Sequence, residues 1–139
     1  MKTYVWITAL YGCETWTSGK EEKRRLEALE MWCYRRMEKI SWRDRVTNED
    51  VLRRVQENRS LWRNIQKRRV TLIGHILRHN NFIKGILEGI VEGRTRRGRP
   101  RLSYIGQIIS DIGCQTYAHL KRKADRRTEW RVAANQPAG

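Results

Sequence analysis

Acidic residues are scarce in this 139-residue chain: 15 Asp plus Glu stand against 30 Lys plus Arg, leaving a formal net charge of +15. That imbalance points to a polyanionic partner, nucleic acid first and an anionic membrane surface second. Long apolar runs are missing too. The longest, Tyr4 to Cys13, is broken by Thr8 and Gly12, far short of the ~20 residues a membrane span needs. It follows Met1-Lys2, where a signal peptide would lie, but Trp6 and the want of a small-x-small site before Glu14 argue against secretion. The cysteines, Cys13, Cys33 and Cys114, are odd in number and widely spaced. No disulfide framework fits them, so a reducing compartment is expected, intracellular and either nuclear or cytoplasmic.

Catalytic groupings are also wanting. Asp44, Asp50, Asp111 and Asp125 are isolated, whereas two-metal phosphoryl chemistry needs carboxylates a few ångströms apart. There is no Gly-rich phosphate loop and no Cys-x-x-Cys pair for a zinc finger. His75 and His79 have the i, i+4 spacing of a metal pair, but Ile76 stands where a zincin places its glutamate. The thiols have no evident base partner, and Cys33 falls on a helix seam. The expectation is a protein without enzymatic activity, cofactor or metal.

What the chain does have is charge in one place. Residues 1–58 hold 12 basic and 10 acidic side chains, whereas residues 59–139 hold 18 and 5. The first part reads as a packing module and the second as an electrostatic footprint. With 39% hydrophobic and 32% charged residues, the chain has enough apolar patterning for one folded domain, or one with an appended subdomain.

Tyr4 to Trp16 is aromatic and β-branched and is predicted to form a short strand or extended entry segment. Ser18 and Glu21 have capping-box spacing for a helix beginning near Gly19. On it Leu26, Leu29, Cys33, Met37 and Ile40 form a seam roughly 80° wide, flanked by Trp32 and Tyr34. Thr47 and Asp50 open a second, short helix with Val51, Leu52 and Val55. A third runs from about Ser60 to His79, lined on one side by Leu61, Trp62, Ile65, Leu72, Ile73 and Ile76. Its other side carries Arg63, Lys67 and Arg78, with Val70, Thr71 and Gly74 as small gaps through which a phosphate backbone could approach. Arg69 falls inside the apolar stripe, so its stem is expected to pack while its head reaches water or a carboxylate.

After Asn80-Asn81, Phe82 to Glu92 is interrupted by glycine and β-branched, which suits a strand or hairpin arm. Ser103 and Gly113 bracket a helix of Ile105, Ile108, Ile109 and Ile112. A last basic helix spans about Thr116 to Val132, with Tyr117, Leu120, Ala124 and Trp130, before a frayed tail. The predicted fold is mainly α, a helical module followed by a basic helical region with one short β element. Its divisions are 1–46, 47–132 and a tail of 133–139.

Arg97-Gly98-Arg99-Pro100 is the sharpest short motif. It looks like the core of an AT-hook, with two arginines for a narrow A·T-rich minor groove; a four-residue match in an Arg-rich chain is weak, and the plainer reading is a basic Gly/Pro turn that joins two elements and touches phosphates. Six tryptophans interleave with the arginines. Most fall on core stripes, and Trp42, in the Ser41 to Val46 loop, is the best candidate for stacking a base.

Longer words carry a family likeness. Leu10-Tyr11-Gly12-Cys13-Glu14-Thr15-Trp16 and Leu26-Glu27-Ala28-Leu29-Glu30-Met31-Trp32-Cys33-Tyr34-Arg35-Arg36-Met37 come first. They are followed in order by Ile40-Ser41-Trp42, Arg45-Val46-Thr47-Asn48 and Gly74-His75-Ile76-Leu77-Arg78. Leu87-Glu88-Gly89, Val91-Glu92-Gly93, Arg97 to Leu102 and Arg126 to Arg131 complete the series. The chain resembles the segment after the polymerase palm of non-LTR (LINE-type) retrotransposon reverse transcriptases, over nearly its whole length. It departs from that pattern at Val70-Thr71-Leu72-Ile73 and at Tyr104, where the family tends to place Trp. The likeness implies a fragment: a helical thumb and the basic region behind it, which hold template and primer, without the metal-binding aspartates or the endonuclease that precede them.

The resulting expectation is a non-catalytic module that binds RNA, DNA or a hybrid electrostatically, with a full-length reverse transcriptase as a further candidate partner. Its contacts are expected at Arg63, Lys67 and Arg78; at Arg94, Arg96, Arg97, Arg99 and Arg101; and at Lys121, Arg122, Lys123, Arg126 and Arg127. Six phosphate contacts would give a log–log salt slope of roughly −4 to −5. The rivals are a helical protein-interaction module, a retrotransposon remnant without function, and a cationic membrane-active peptide.

Overall fold

The structure, a computed structural model, describes residues 2–17, 19–79, 82–88 and 103–136. Its α-helices are α1 (Lys2–Ala9), α2 (Lys20–Met37), α3 (Asn48–Val55), α4 (Leu61–Arg78), α5 (Phe82–Glu88), α6 (Tyr104–Ile112), α7 (Tyr117–Asp125) and α8 (Arg127–Asn135). Short 3-10 turns lie at Cys13–Thr15 and Trp42–Asp44. The fold is mainly helical, and no strand occurs among the described residues.

The chain divides into two compact units, Met1–Ala9 with Ser18–Asn64 and Leu10–Thr17 with Ile65–Gly139. In the first, Met31, Tyr34 and Val51 form the buried centre, with Trp6, Ile40, Val46, Leu52 and Val55 packed against it. Trp6 meets Tyr34 edge-on, ring centroids 6.3 Å apart. The second has the larger core, built from α4, α6, α7 and α8: Val70, Ile73, Ile76, Leu77, Ile108, Ile112, Leu120, Ala124 and Trp130 are all buried in it. Each such large side chain contributes about 1.5–3 kcal/mol by leaving water.

Local chemistry sets most of the boundaries. Thr47 Oγ1 accepts from the Asp50 N–H to start α3, Ser103 Oγ accepts from the Gly106 N–H to start α6, and Gly113, at φ 70°, ends α6. These are the caps the residue types dictate. At α2 the cap shifts by one residue: Gly19 donates its N–H to Glu22 Oε2 at 2.9 Å, and Ser18 lies outside the described residues.

Four expectations are corrected. Residues 2–9 are helical rather than extended. An isolated strand would leave its N–H and C=O groups unpaired, whereas a helix pairs them within the segment. Phe82–Glu88 is likewise helix α5; the rest of that expected strand arm lies outside the described residues. The seam expected on α2 is not its buried face: Leu29 and Met37 are each 39% exposed, and Leu26 and Cys33 are only half-buried. The buried residues are Glu30, Met31 and Tyr34, on a face rotated by roughly 100°. Finally, the last helix is two helices. Arg126, at φ −88° and ψ 89°, leaves helical geometry, and α8 continues through Asn135 where fraying was expected.

Two buried polar groups join separate elements. The Glu30 carboxyl, fully enclosed, accepts from the Ser60 and Leu61 N–H groups at 2.9 and 3.2 Å and from the Tyr34 hydroxyl at 3.3 Å. A side chain of α2 thus caps α4. Arg69, also enclosed, donates to Gln107 Oε1 at 2.9 Å, lies 3.7 Å from Asp111 Oδ2, and stands over the Tyr104 ring. Its head reaches the carboxylate anticipated for it. The Tyr104 hydroxyl donates to the Glu14 carbonyl at 2.6 Å, and burial pushes its pKa up against the lowering effect of Arg69.

Candidate nucleic-acid interface

Helix α4 turns Lys67, Thr71, Gly74 and Arg78 to one side, because residues three and four apart share a face. On α8, Arg127, Arg131 and Asn135 stand at successive i+4 positions. Where these faces meet is a cleft of about 260 Å3 lined by Lys67, Thr71, Arg78, Arg127, Trp130, Arg131, Ala134 and Asn135. Four of these residues are cationic and none is acidic. Low-dielectric walls carrying one sign of charge focus potential into a cleft.

Trp130 fixes the two helices against each other. Its indole N–H donates to the Val70 carbonyl at 3.0 Å. Its ring lies over Gly74, where an added Cβ would overlap the indole. Val70 is buried in the core and the Gly74 gap is filled by tryptophan, so neither is an opening for a phosphate strand. Thr71 remains exposed, with its hydroxyl donating to the Lys67 carbonyl at 2.8 Å.

The expected contact residues fall in different places. Lys67, Arg78 and Arg127 are brought together in the cleft. Arg78 also donates from Nη1 to the Ala124 carbonyl at 3.1 Å, tying the end of α4 to α7. Arg63 is exposed on α4 but belongs to the first unit. Lys121 forms a 3.0 Å ion pair with Glu88, and Arg126 a 2.9 Å pair with Glu129, so both charges are matched by acids. Arg122 is exposed and Lys123 half-buried. Arg94, Arg96, Arg97, Arg99 and Arg101 lie outside the described residues, and with them the Arg-Gly-Arg-Pro motif. Arg131 was not among the expected contacts, although its i+4 spacing from Arg127 was a signal for it.

Glu88 also accepts from the Tyr117 hydroxyl at 2.7 Å. Burial, then this bond to a carboxylate, pushes the Tyr117 pKa up to about 12, while the tyrosine and Lys121 hold Glu88 below its usual range. Burial raises the Cys13 and Cys33 thiols above their ordinary values. The His75 and His79 rings lie 4.5 Å apart; among the described residues no group of three or more His, Cys, Asp or Glu could hold a metal ion. No described helix is long and apolar enough to cross a membrane.

Comparisons with protein-family models, with curated proteins and with solved structures found no match to this chain.

Proposed function

We propose that the chain is a non-catalytic nucleic-acid-binding module, the thumb-and-basic-region part of a LINE-type reverse transcriptase, which grips sugar–phosphate strands by charge. The observation that carries this reading is the acid-free cleft between α4 and α8, where Lys67, Arg78, Arg127 and Arg131 converge. Cations on helices, with Asn135 lining the same cleft, suit phosphate oxygens and carry no base information. Binding is therefore independent of sequence, and RNA, DNA and hybrid all qualify as ligands.

A salt titration of binding tests it. Each neutralised phosphate contributes about 0.7 to 0.9 to the log–log slope, so four cleft contacts give about −3 to −4. Alanine at Arg127 and Arg131 together is expected to flatten that slope by about 2, with equal loss on every sequence. A flat salt response in the unaltered protein would reject the reading.

A second reading, a helical protein-interaction module, is favoured by the apolar side of α2 that remains exposed at Leu29, Trp32 and Met37. It is distinguished by binding that survives high salt and is lost with Trp32→Ala.

A further inference from the structure

Trp42 is 84% exposed. Large aromatics left in water forgo the burial that stabilises a fold, and a flexible loop would let the indole fold back onto apolar surface. This loop is fastened at both ends. Just past the end of α2, Lys39 takes the left-handed region, φ 55°, and the Ile40 N–H donates back to the Arg35 carbonyl at 2.9 Å. Ile40 packs against the first unit's core. The turn itself is closed by a reciprocal cap. The Ser41 N–H donates to Asp44 Oδ2 at 2.6 Å, and the Arg43 N–H donates to Ser41 Oγ at 3.3 Å. Beyond it, Arg35 donates from Nη2 to the Val46 carbonyl at 2.7 Å and to Asn48 Oδ1 at 3.0 Å. The indole is thus held outward on a pinned turn.

Its surroundings are cationic. The Arg43 guanidinium carbon stands 5.5 Å from the Trp42 ring centroid, over one face, a cation–π arrangement that leaves the opposite face open. Lys39 and Arg45 flank the turn and are exposed. Arg45, too, adopts a left-handed backbone, φ 45°, a conformation in which glycine would be unstrained. Asp44, the acid within the turn, is engaged by the Ser41 N–H.

We infer that Trp42 is a stacking platform for one unpaired nucleobase, with Arg43 and Arg45 meeting the adjoining phosphates. An open indole face beside cations is the arrangement that binds single strands, since every base has a π face and the backbone supplies the charge. A base within a duplex has both faces covered by its neighbours. The site therefore takes single-stranded nucleic acid, or a single-stranded overhang, and passes over a closed duplex. This rests on the nucleic-acid reading above but uses residues of the first unit, none of which lines the α4–α8 cleft.

The test uses the full chain with two fluorescent probes of equal phosphate count, a single-stranded oligothymidylate and a duplex closed by a hairpin loop at each end through non-nucleotide linkers. Trp42→Ala is expected to weaken the single-strand complex about tenfold or more, the loss of one base–aromatic stack. The closed duplex should be bound as before. Trp42→Phe, which keeps a π face, should recover most of that loss, and equal melting temperatures would show that the fold is unchanged. Unaltered single-strand affinity in Trp42→Ala, or an equal loss on both probes, overturns the inference while leaving charge-driven binding intact. If the unaltered protein binds neither probe, the nucleic-acid reading itself fails.

Discussion

Gly74 shows how much one hydrogen atom can hold in place. Its missing side chain lets the N–H edge of the Trp130 indole come against α4 and donate to the Val70 carbonyl. Gly74→Ala would raise helix propensity by about 0.8–1 kcal/mol, yet the methyl overlaps a buried, hydrogen-bonded ring that cannot withdraw without opening the core. Overpacking of this kind costs about 1–3 kcal/mol. The expected result is a net loss of stability in chemical denaturation, together with weaker oligonucleotide binding because Trp130 lines the cleft. A gain in stability would show that the ring moves freely. Hydropathy alone did not reveal this contact: a glycine on a basic face and a tryptophan 56 positions later share no local pattern.

Among the elements, α4 depends on a cap borrowed from α2. Its first N–H groups have no partner within the helix, and Glu30 accepts from two of the local donors, Ser60 and Leu61. Glu30→Ala is expected to cost about 1–3 kcal/mol, since buried donors would lose their acceptor, and Glu30→Gln rather less because an amide oxygen can still accept. Urea midpoints of the two variants measure this; equal midpoints would remove the cap. The same residue explains why the buried face of α2 differs from the one its apolar periodicity predicts. Periodicity ranks apolar side chains, so a glutamate that serves another helix is invisible to it, and Leu29 and Met37 rank as interior instead. Where the determinants are local, as with the caps of α3 and α6, the sequence was legible. The break at Arg126 lacks any glycine or proline to announce it, and the β-branched run before Ala9 has no strand to pair with among the described residues.

Across the whole molecule, the two units are unequally endowed. Among the described residues, Met31, Tyr34 and Val51 form the buried centre of the first unit, and a cluster of eleven buried residues forms that of the second. Local stability follows apolar burial, so native-state hydrogen exchange should find α3 amides opening at least about tenfold more readily than those in the core-facing turns of α6. Equal protection would mean that the chain unfolds as one cooperative block. Of the expected contacts, Lys67, Arg78 and Arg127 line one cleft, a grouping that charge in the sequence does not reveal. Nor could charge separate them from Lys121 and Arg126, because pairing with Glu88 and Glu129 is decided by the fold.

The indole resting on a bare backbone also has a hereditary consequence. Positions 74 and 130 cannot change independently: a lineage that gains a methyl at the first must surrender bulk at the second, or lose the seat of α8. Descendants of this sequence that keep the cleft should therefore carry glycine and tryptophan together, and those that have abandoned one should be free to vary the other.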